Sequence, residues 1–189
     1  IELELGFNKQ FGEVNFRTSG NVSYLENEVT FLGQGKTFIS GGVGFQSMGT
    51  LTRTEVGMAR NTFYGIKTAG IFQNQSEIDA HVNSAGTIIQ PNAKPGDFRW
   101  VDTDDNGKIE DTDKQYLGSP IPKFTFGFNF NFDYKSFDLN MSFQGAAGNK
   151  IFQGLRRIDL GAAPNYQTKA LDRWFWEGTS NSYPRLTTA

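Results

Sequence analysis

The chain has 189 residues, enough for one ordinary domain, and its formal net charge of −2 gives no basis for a nucleic-acid or anionic-membrane surface. It has no cysteine, which excludes disulfides, thiolate metal sites and cysteine catalysis. With 22 Gly, 18 Phe and only 37% hydrophobic residues, strands and loops are expected rather than a helical core, and no apolar run is long enough for a transmembrane helix.

The opening "IELELGF" alternates Ile1, Leu3, Leu5 and Phe7 with Glu2, Glu4 and Gly6, which reads as a strand. A chain that opens in a strand, with no signal peptide, is expected to be a fragment. The polar stretch "NKQFGE" is expected to turn into a second strand. There Val14, Phe16, Thr18, Gly20, Val22 and Tyr24 alternate with Asn15, Arg17, Ser19, Asn21 and Ser23. These residues, 1–25, form the first expected hairpin.

A long excursion follows, over residues 26–122, far above ordinary loop lengths. It holds the Gly-rich "GGVGFQSMG" and an expected strand or hairpin in "NTFYGIKTAGIFQ". A short helix is expected over Ser76–Val82, with Ser76 as N-cap and Asp79 as its capping partner.

The excursion ends on "WVDTDDNGKIEDTD", Trp100 to Asp113. An EF-hand type calcium loop places oxygen ligands at positions 1, 3, 5, 7, 9 and 12, with Gly at 6. Counting from Asp102, these are Asp102, Asp104, Asn106, Lys108, Glu110 and Asp113, with Gly107 at the turn. Lys108 serves through its backbone carbonyl and Glu110 through a water. Asp113 is shorter than the usual Glu, so its bidentate grip is less assured. Ile109 is expected to pin the loop to a small core. The alternative is a metal-free turn, because Asp, Asn and Gly make turns unaided. The flanks are not those of an EF-hand. Phe98, Trp100 and Val101 read as extended, and only Asp111–Tyr116 suits a helical turn. Calcium in such a place rigidifies a loop in a β protein.

The second hairpin, 123–144, is the clearest. "KFTFGFNFNF" puts Phe124, Phe126, Phe128, Phe130 and Phe132 on one face, with Thr125, Gly127, Asn129 and Asn131 on the other. After "DYKS", Phe137, Leu139, Met141 and Phe143 alternate with Asp138, Asn140, Ser142 and Gln144. Residues 145–189 read as a loop region, with a short helix over Tyr166–Trp176.

Period two fits a soluble sandwich, whose apolar face is core, and an outer-membrane barrel, whose apolar face meets lipid. Strands of about ten residues suit a tilted span of a bilayer. Short turns on one side and one vast connection on the other match periplasmic turns and extracellular loops. The expected fold is therefore all-β: an antiparallel meander of long amphipathic strands, an open piece of a barrel with long extracellular loops and one or two short helices. The competing reading is a soluble calcium-stabilised β-domain that binds glycans on Trp100, Trp174, Trp176 and Tyr183.

Three stretches, "NTFYGIKTAGIFQNQSEIDA", the run from "GDFRWVDTDDNGKIEDTDKQYLGSPIPKFTFGFNFNF" to "GNKIF", and "RWFWEGTSNSYPRL", occur in an order that resembles the SusC/RagA family. The resemblance implies a TonB-linked outer-membrane transporter that takes up glycan or peptide oligomers with a SusD-like surface lipoprotein. It also implies that "DTDDNGKIEDTD" is an extracellular calcium loop. These residues hold no TonB box and no plug, and four membrane strands cannot close a barrel that needs at least eight. Contact with the TonB complex would run through parts outside this chain. Enzyme activity is not expected. His81 is the only histidine and reads as a solvent-facing helix residue, and Glu2 and Glu4 read as a hydrated wall rather than an acid/base pair.

Overall fold

The structure, a computed structural model, describes residues 1–41, 49–154 and 168–186. They fall into two compact units. The first takes in Ile1–Val43, Thr52–Phe63 and Gly118–Gly154; the second takes in Gly44–Leu51, Tyr64–Leu117 and Leu155–Ala189.

The first unit is dominated by one antiparallel sheet. Its strands are β1 (Glu2–Phe11), β2 (Val14–Tyr24), β9 (Phe124–Tyr134) and β10 (Phe137–Ala147), in the order β1-β2-β9-β10. The first turn is tighter than "NKQFGE" suggests. Alternation continues through Phe11, and only Gly12 and Glu13 lie between the strands. Gly12, at φ +61°, takes the first turn position, where a two-residue hairpin favours glycine. At the other turn Lys135 adopts φ +53° between Tyr134 and Phe137. Strand β10 runs three residues beyond Gln144, because Gly145 and Ala147 still pair with Phe126 and Phe124.

Register carries the stripes across all four strands. Leu5, Gly20, Phe128 and Phe143 form one row; Leu3, Val22, Phe126 and Gly145 form the next. The Phe128 ring lies over Gly20, whose added Cβ would sit 2.8 Å from it. The Phe126 ring covers Gly145 in the same way. On the opposite face Gly6, Ser19, Asn129 and Ser142 align. There Asn129 donates to Ser19 Oγ at 3.4 Å and accepts from Ser142 Oγ, and Arg17 pairs with Asp133 at 2.8 Å. Glu2 accepts from Ser23 Oγ at 3.3 Å, which makes it part of this polar wall.

The apolar face is bare among the described residues. Leu5 is 68% exposed, Phe128 49% and Phe143 57%. Burying such a side chain is worth about 1.5–3 kcal/mol. A stripe of them left in water forgoes an amount comparable with the roughly 5–15 kcal/mol stability of a whole domain. The face therefore calls for an apolar medium. From Val14 to Tyr24 the strand rises about 33 Å. A tilt of about 45° reduces this to about 23 Å, close to the apolar band of an outer-membrane barrel. Tyr134 and Tyr24 end the stripe at its two edges, where amphipathic rings suit the lipid–water boundary. Tyr24 lies opposite Phe124, and Leu25 N–H donates to the Lys123 carbonyl at 2.9 Å. The chain thus leaves the sheet and returns to it at adjacent points. Also in this unit, β3 (Phe38–Gly41) pairs with β4 (Thr52–Glu55), and β4 pairs with the start of β5 (Thr62–Ile66).

The second unit holds every buried apolar side chain among the described residues: Ile71, Phe72, Ile78, Ile89 and Ala170. Here "NTFYGIKTAGIFQ" is not a hairpin. Strand β6 (Thr68–Ile71) pairs with β7 (Phe98–Trp100) instead of β5, through a register shift between Thr68 and Ile71. The helix α1 is Gln75–Asp79, shorter than Ser76–Val82 and capped two residues earlier. Asn74 Oδ1 accepts from Glu77 N–H at 3.0 Å, and Glu77 reaches back to Gln73 N–H at 2.9 Å, so the Asn74/Glu77 pair outcompetes Ser76. The helical turn at the end of the acidic loop is a 3-10 turn, Asp111–Asp113. Lys114–Tyr116 belong to β8 (Lys114–Gly118). Near the end of the chain a 3-10 helix spans Thr168–Asp172 and stops short of Trp176; residues 166–167 of that expected helix lie outside the described residues. So does 42–48 of the Gly-rich stretch.

Gly96 locks this unit. It is buried at φ +92°, donates to the Phe72 carbonyl at 2.7 Å and accepts from Arg185 N–H at 2.9 Å. An added Cβ would meet Arg185 Cβ at 2.8 Å. Gly96→Ala is expected to cost about 2–4 kcal/mol, from left-handed strain and overpacking together. The loss should appear as reduced hydrogen-exchange protection at Gly96 and Arg185.

Candidate metal centre

The acidic loop is tied down on both sides. Before it, Trp100 N–H donates to Gln90 Oε1 at 2.8 Å, and Val101 N–H donates to the Lys67 carbonyl at 2.9 Å. His81 Nε2 lies 3.0 Å from the Trp100 carbonyl and so donates to it. Its ring also meets Phe72 edge-on, so His81 is half-buried and lies beyond the helix rather than facing solvent on it. After the loop the chain enters β8.

Within the loop, Asp113 is fully buried. Its Oδ1 accepts from Thr103 N–H at 2.6 Å and its Oδ2 from Glu110 N–H at 2.8 Å. Asp102 Oδ2 accepts from Gly107 N–H at 2.8 Å, while its Oδ1 is buried with no hydrogen-bond partner. Asp104 accepts from Asn106 N–H at 3.2 Å and from Asn106 Nδ2 at 3.0 Å. One carboxylate oxygen from each of Asp102, Asp104 and Asp113 lies within 4.8 Å of the others. Two oxygens bound to one calcium at about 2.4 Å can stand at most about 4.8 Å apart, so the spacing admits that ion. The orphaned Asp102 oxygen is a second point of fit, since a buried carboxylate oxygen without a partner is costly.

The other sequence-derived ligands sit around this trio. Asn106 Nδ2 also donates to Glu110 Oε1 at 2.8 Å, and Asn106 Oδ1 accepts from Lys108 N–H at 2.8 Å. Ile109 is half-buried beside a cleft of about 530 Å³, with Ile89, Phe98, Trp100, Pro184 and Arg185. Trp174 is engaged through its indole N–H with Gln73 Oε1 at 3.2 Å and through its backbone with the Tyr183 carbonyl, whereas Trp176 is 67% exposed.

Sequence spacing missed Asp105, which adopts φ +60° and bonds Ser84 through both the Ser84 N–H, at 2.9 Å, and the Ser84 hydroxyl. Nothing in the sequence links residues 21 positions apart. The Ser84 hydroxyl and N–H hold the Asp105 carboxyl below the ordinary carboxylate value. The Thr112 hydroxyl, then Asn106 N–H, do the same for Asp104. A lowered folded value means stabilisation that is complete above the unfolded value and is lost as pH falls through the folded one. Acidification into that window is expected to loosen this loop before the β6–β7 pair, measured by hydrogen exchange at Ser84 and Gly107 against Phe98.

The fold and its bare apolar stripe define a class: an open section of an outer-membrane β-barrel with a structured excursion. No family model matches the chain. It is 29% identical over 175 residues to TonB-dependent receptor P3 of Formosa agariphila, covering 92% of this chain and 17% of the relative. It is 31% identical over 137 residues to TonB-dependent receptor P26 of the same organism, covering 71% and 13%. The fold matches a chain in the structure of the RagAB peptide transporter, with a TM-score of 0.65 at 20% identity, over 100% of this chain and 20% of that one. The chain therefore has TonB-dependent receptors, which are outer-membrane proteins, as homologues, and it spans less than a fifth of the length of the two receptors named. That location assigns the apolar stripe to lipid and rules out the soluble-domain reading.

Proposed function

We propose that the chain is a wall section of a TonB-dependent transporter that takes up glycan or peptide oligomers, with residues 26–122 as an extracellular segment. The observation that carries this is the direct pairing of β2 with β9. The excursion starts at the edge of the sheet opposite the two short turns and returns beside its own starting point, as one outward connection does. In this reading outer-membrane lipid covers the apolar face, and the TonB complex acts through parts outside the chain. A SusD-like surface lipoprotein docks on the excursion. Ordered loops on a rigid scaffold commonly carry binding.

Calcium belongs to the same proposal. Asp102, Asp104 and Asp113 would hold it, with Asn106, the Lys108 carbonyl and Glu110 completing the oxygen set. The ion would neutralise the carboxylates and brace β7 against β8. The test is labelling of whole cells with an impermeant thiol reagent. Ala85→Cys should react and Lys135→Cys should not; the reverse pattern refutes the topology. Changing Asp102 and Asp104 together to Ala should reduce co-purification of the lipoprotein severalfold, and unchanged recovery removes the docking role.

A further inference from the structure

Asp105 stands between two of the carboxylates that gather in the loop but is not one of them. Both of its oxygens are taken by Ser84, one by the N–H at 2.9 Å and the other by the hydroxyl. Its backbone carbonyl accepts from Asn83 Nδ2 at 3.1 Å. Asn83 is itself fixed. Its Oδ1 accepts from Thr87 N–H at 2.8 Å and Ala85 N–H at 3.2 Å, and its N–H donates to the Thr87 carbonyl at 3.0 Å. Residues 83–87 thus form a closed turn that grips the loop from outside. A second contact lies two residues on. Gly107 is buried against the same turn, and an added Cβ would stand 3.0 Å from Asn83 Nδ2 and 3.3 Å from Thr87 Cγ2. The two gripped residues flank Asn106, the middle of the loop.

We propose that Asp105 is an anchor rather than a metal ligand, and that Ser84 is a positioning residue which presets the centre of the loop for calcium. The inference rests on the metal reading above. Its physical basis is preorganisation: backbone already fixed in the binding conformation need not be ordered when the ion arrives. Both Asp105 oxygens are engaged by Ser84, so among the Asp side chains of the loop it is Asp102, Asp104 and Asp113 that turn oxygens toward one another.

The test uses detergent-purified protein, calcium calorimetry and terbium luminescence. Ser84→Ala should raise the calcium Kd by about tenfold, as expected for a lost hydrogen bond to a charged group. Ser84→Thr keeps both the hydroxyl and the N–H and should restore affinity to within about twofold. Asp105→Ala removes charge and weakens binding whatever its role, so the deciding readout there is the number of terbium-bound waters, from lifetimes in light and heavy water. An anchor leaves that number unchanged; a lost ligand raises it by about one. Wild-type protein that binds neither ion overturns the metal reading and the anchor with it. Wild-type binding with Ser84→Ala at wild-type affinity, or an added water in Asp105→Ala, overturns the anchor alone.

Discussion

Replacing Phe128 with Arg is expected to destabilise the membrane-embedded sheet by about 2–4 kcal/mol, the cost of a cation at the lipid face near the bilayer midplane. Phe128 sits in the central part of β9, between Gly20 on one neighbour and Phe143 on the other, and is 49% exposed. The same change one residue on, Asn129→Arg, should cost much less. Asn129 lies on the hydrogen-bonded polar face with Ser19 and Ser142, where a long cation can stay hydrated. Urea unfolding of the receptor in lipid vesicles checks the pair. A larger penalty at Asn129 would reverse the assignment of lipid and lumen.

The second large effect is expected at Asp113. Its carboxylate is fully buried and is the acceptor for two backbone N–H groups, from Thr103 and Glu110. Asp113→Ala leaves both donors without that acceptor, at about 1–3 kcal/mol each, so the loop should lose about 2–6 kcal/mol even without metal. Asp104→Ala removes a carboxylate from an exposed position and should leave the metal-free loop nearly as stable as before. Hydrogen exchange in the presence of a chelator separates the two. Equal protection at Thr103 in wild type and Asp113→Ala would mean that this carboxylate does not organise the loop.

The sequence showed the sheet well because period two in β9 and β10 is unbroken, and a one-residue slip would turn every Phe to the wrong face. It showed the Asp102–Asp104–Asp113 trio for a similar reason: ligand spacing is a local property of the chain. Features settled by non-local contacts were lost. β6 pairs with β7 across about thirty residues rather than with its neighbour β5. The N-cap moved to Asn74 because Glu77 could bond both Asn74 and Gln73. The Ser84–Asp105 clamp has no sequence signal, since neither residue belongs to a motif with the other. Sidedness lay beyond the alternation itself, which looks the same for a lipid-facing and a core-facing stripe. Exposure of the stripe and homology to outer-membrane receptors decided it.

The central claim is that one face of the β1-β2-β9-β10 sheet meets lipid and the other meets water. Spin labels at positions 128 and 129 of the receptor in lipid bilayers test this directly. Collisions with molecular oxygen, which concentrates in lipid, should dominate at 128, and collisions with a water-soluble nickel chelate should dominate at 129. The opposite pattern, or equal access of the nickel chelate to both positions, would contradict the account.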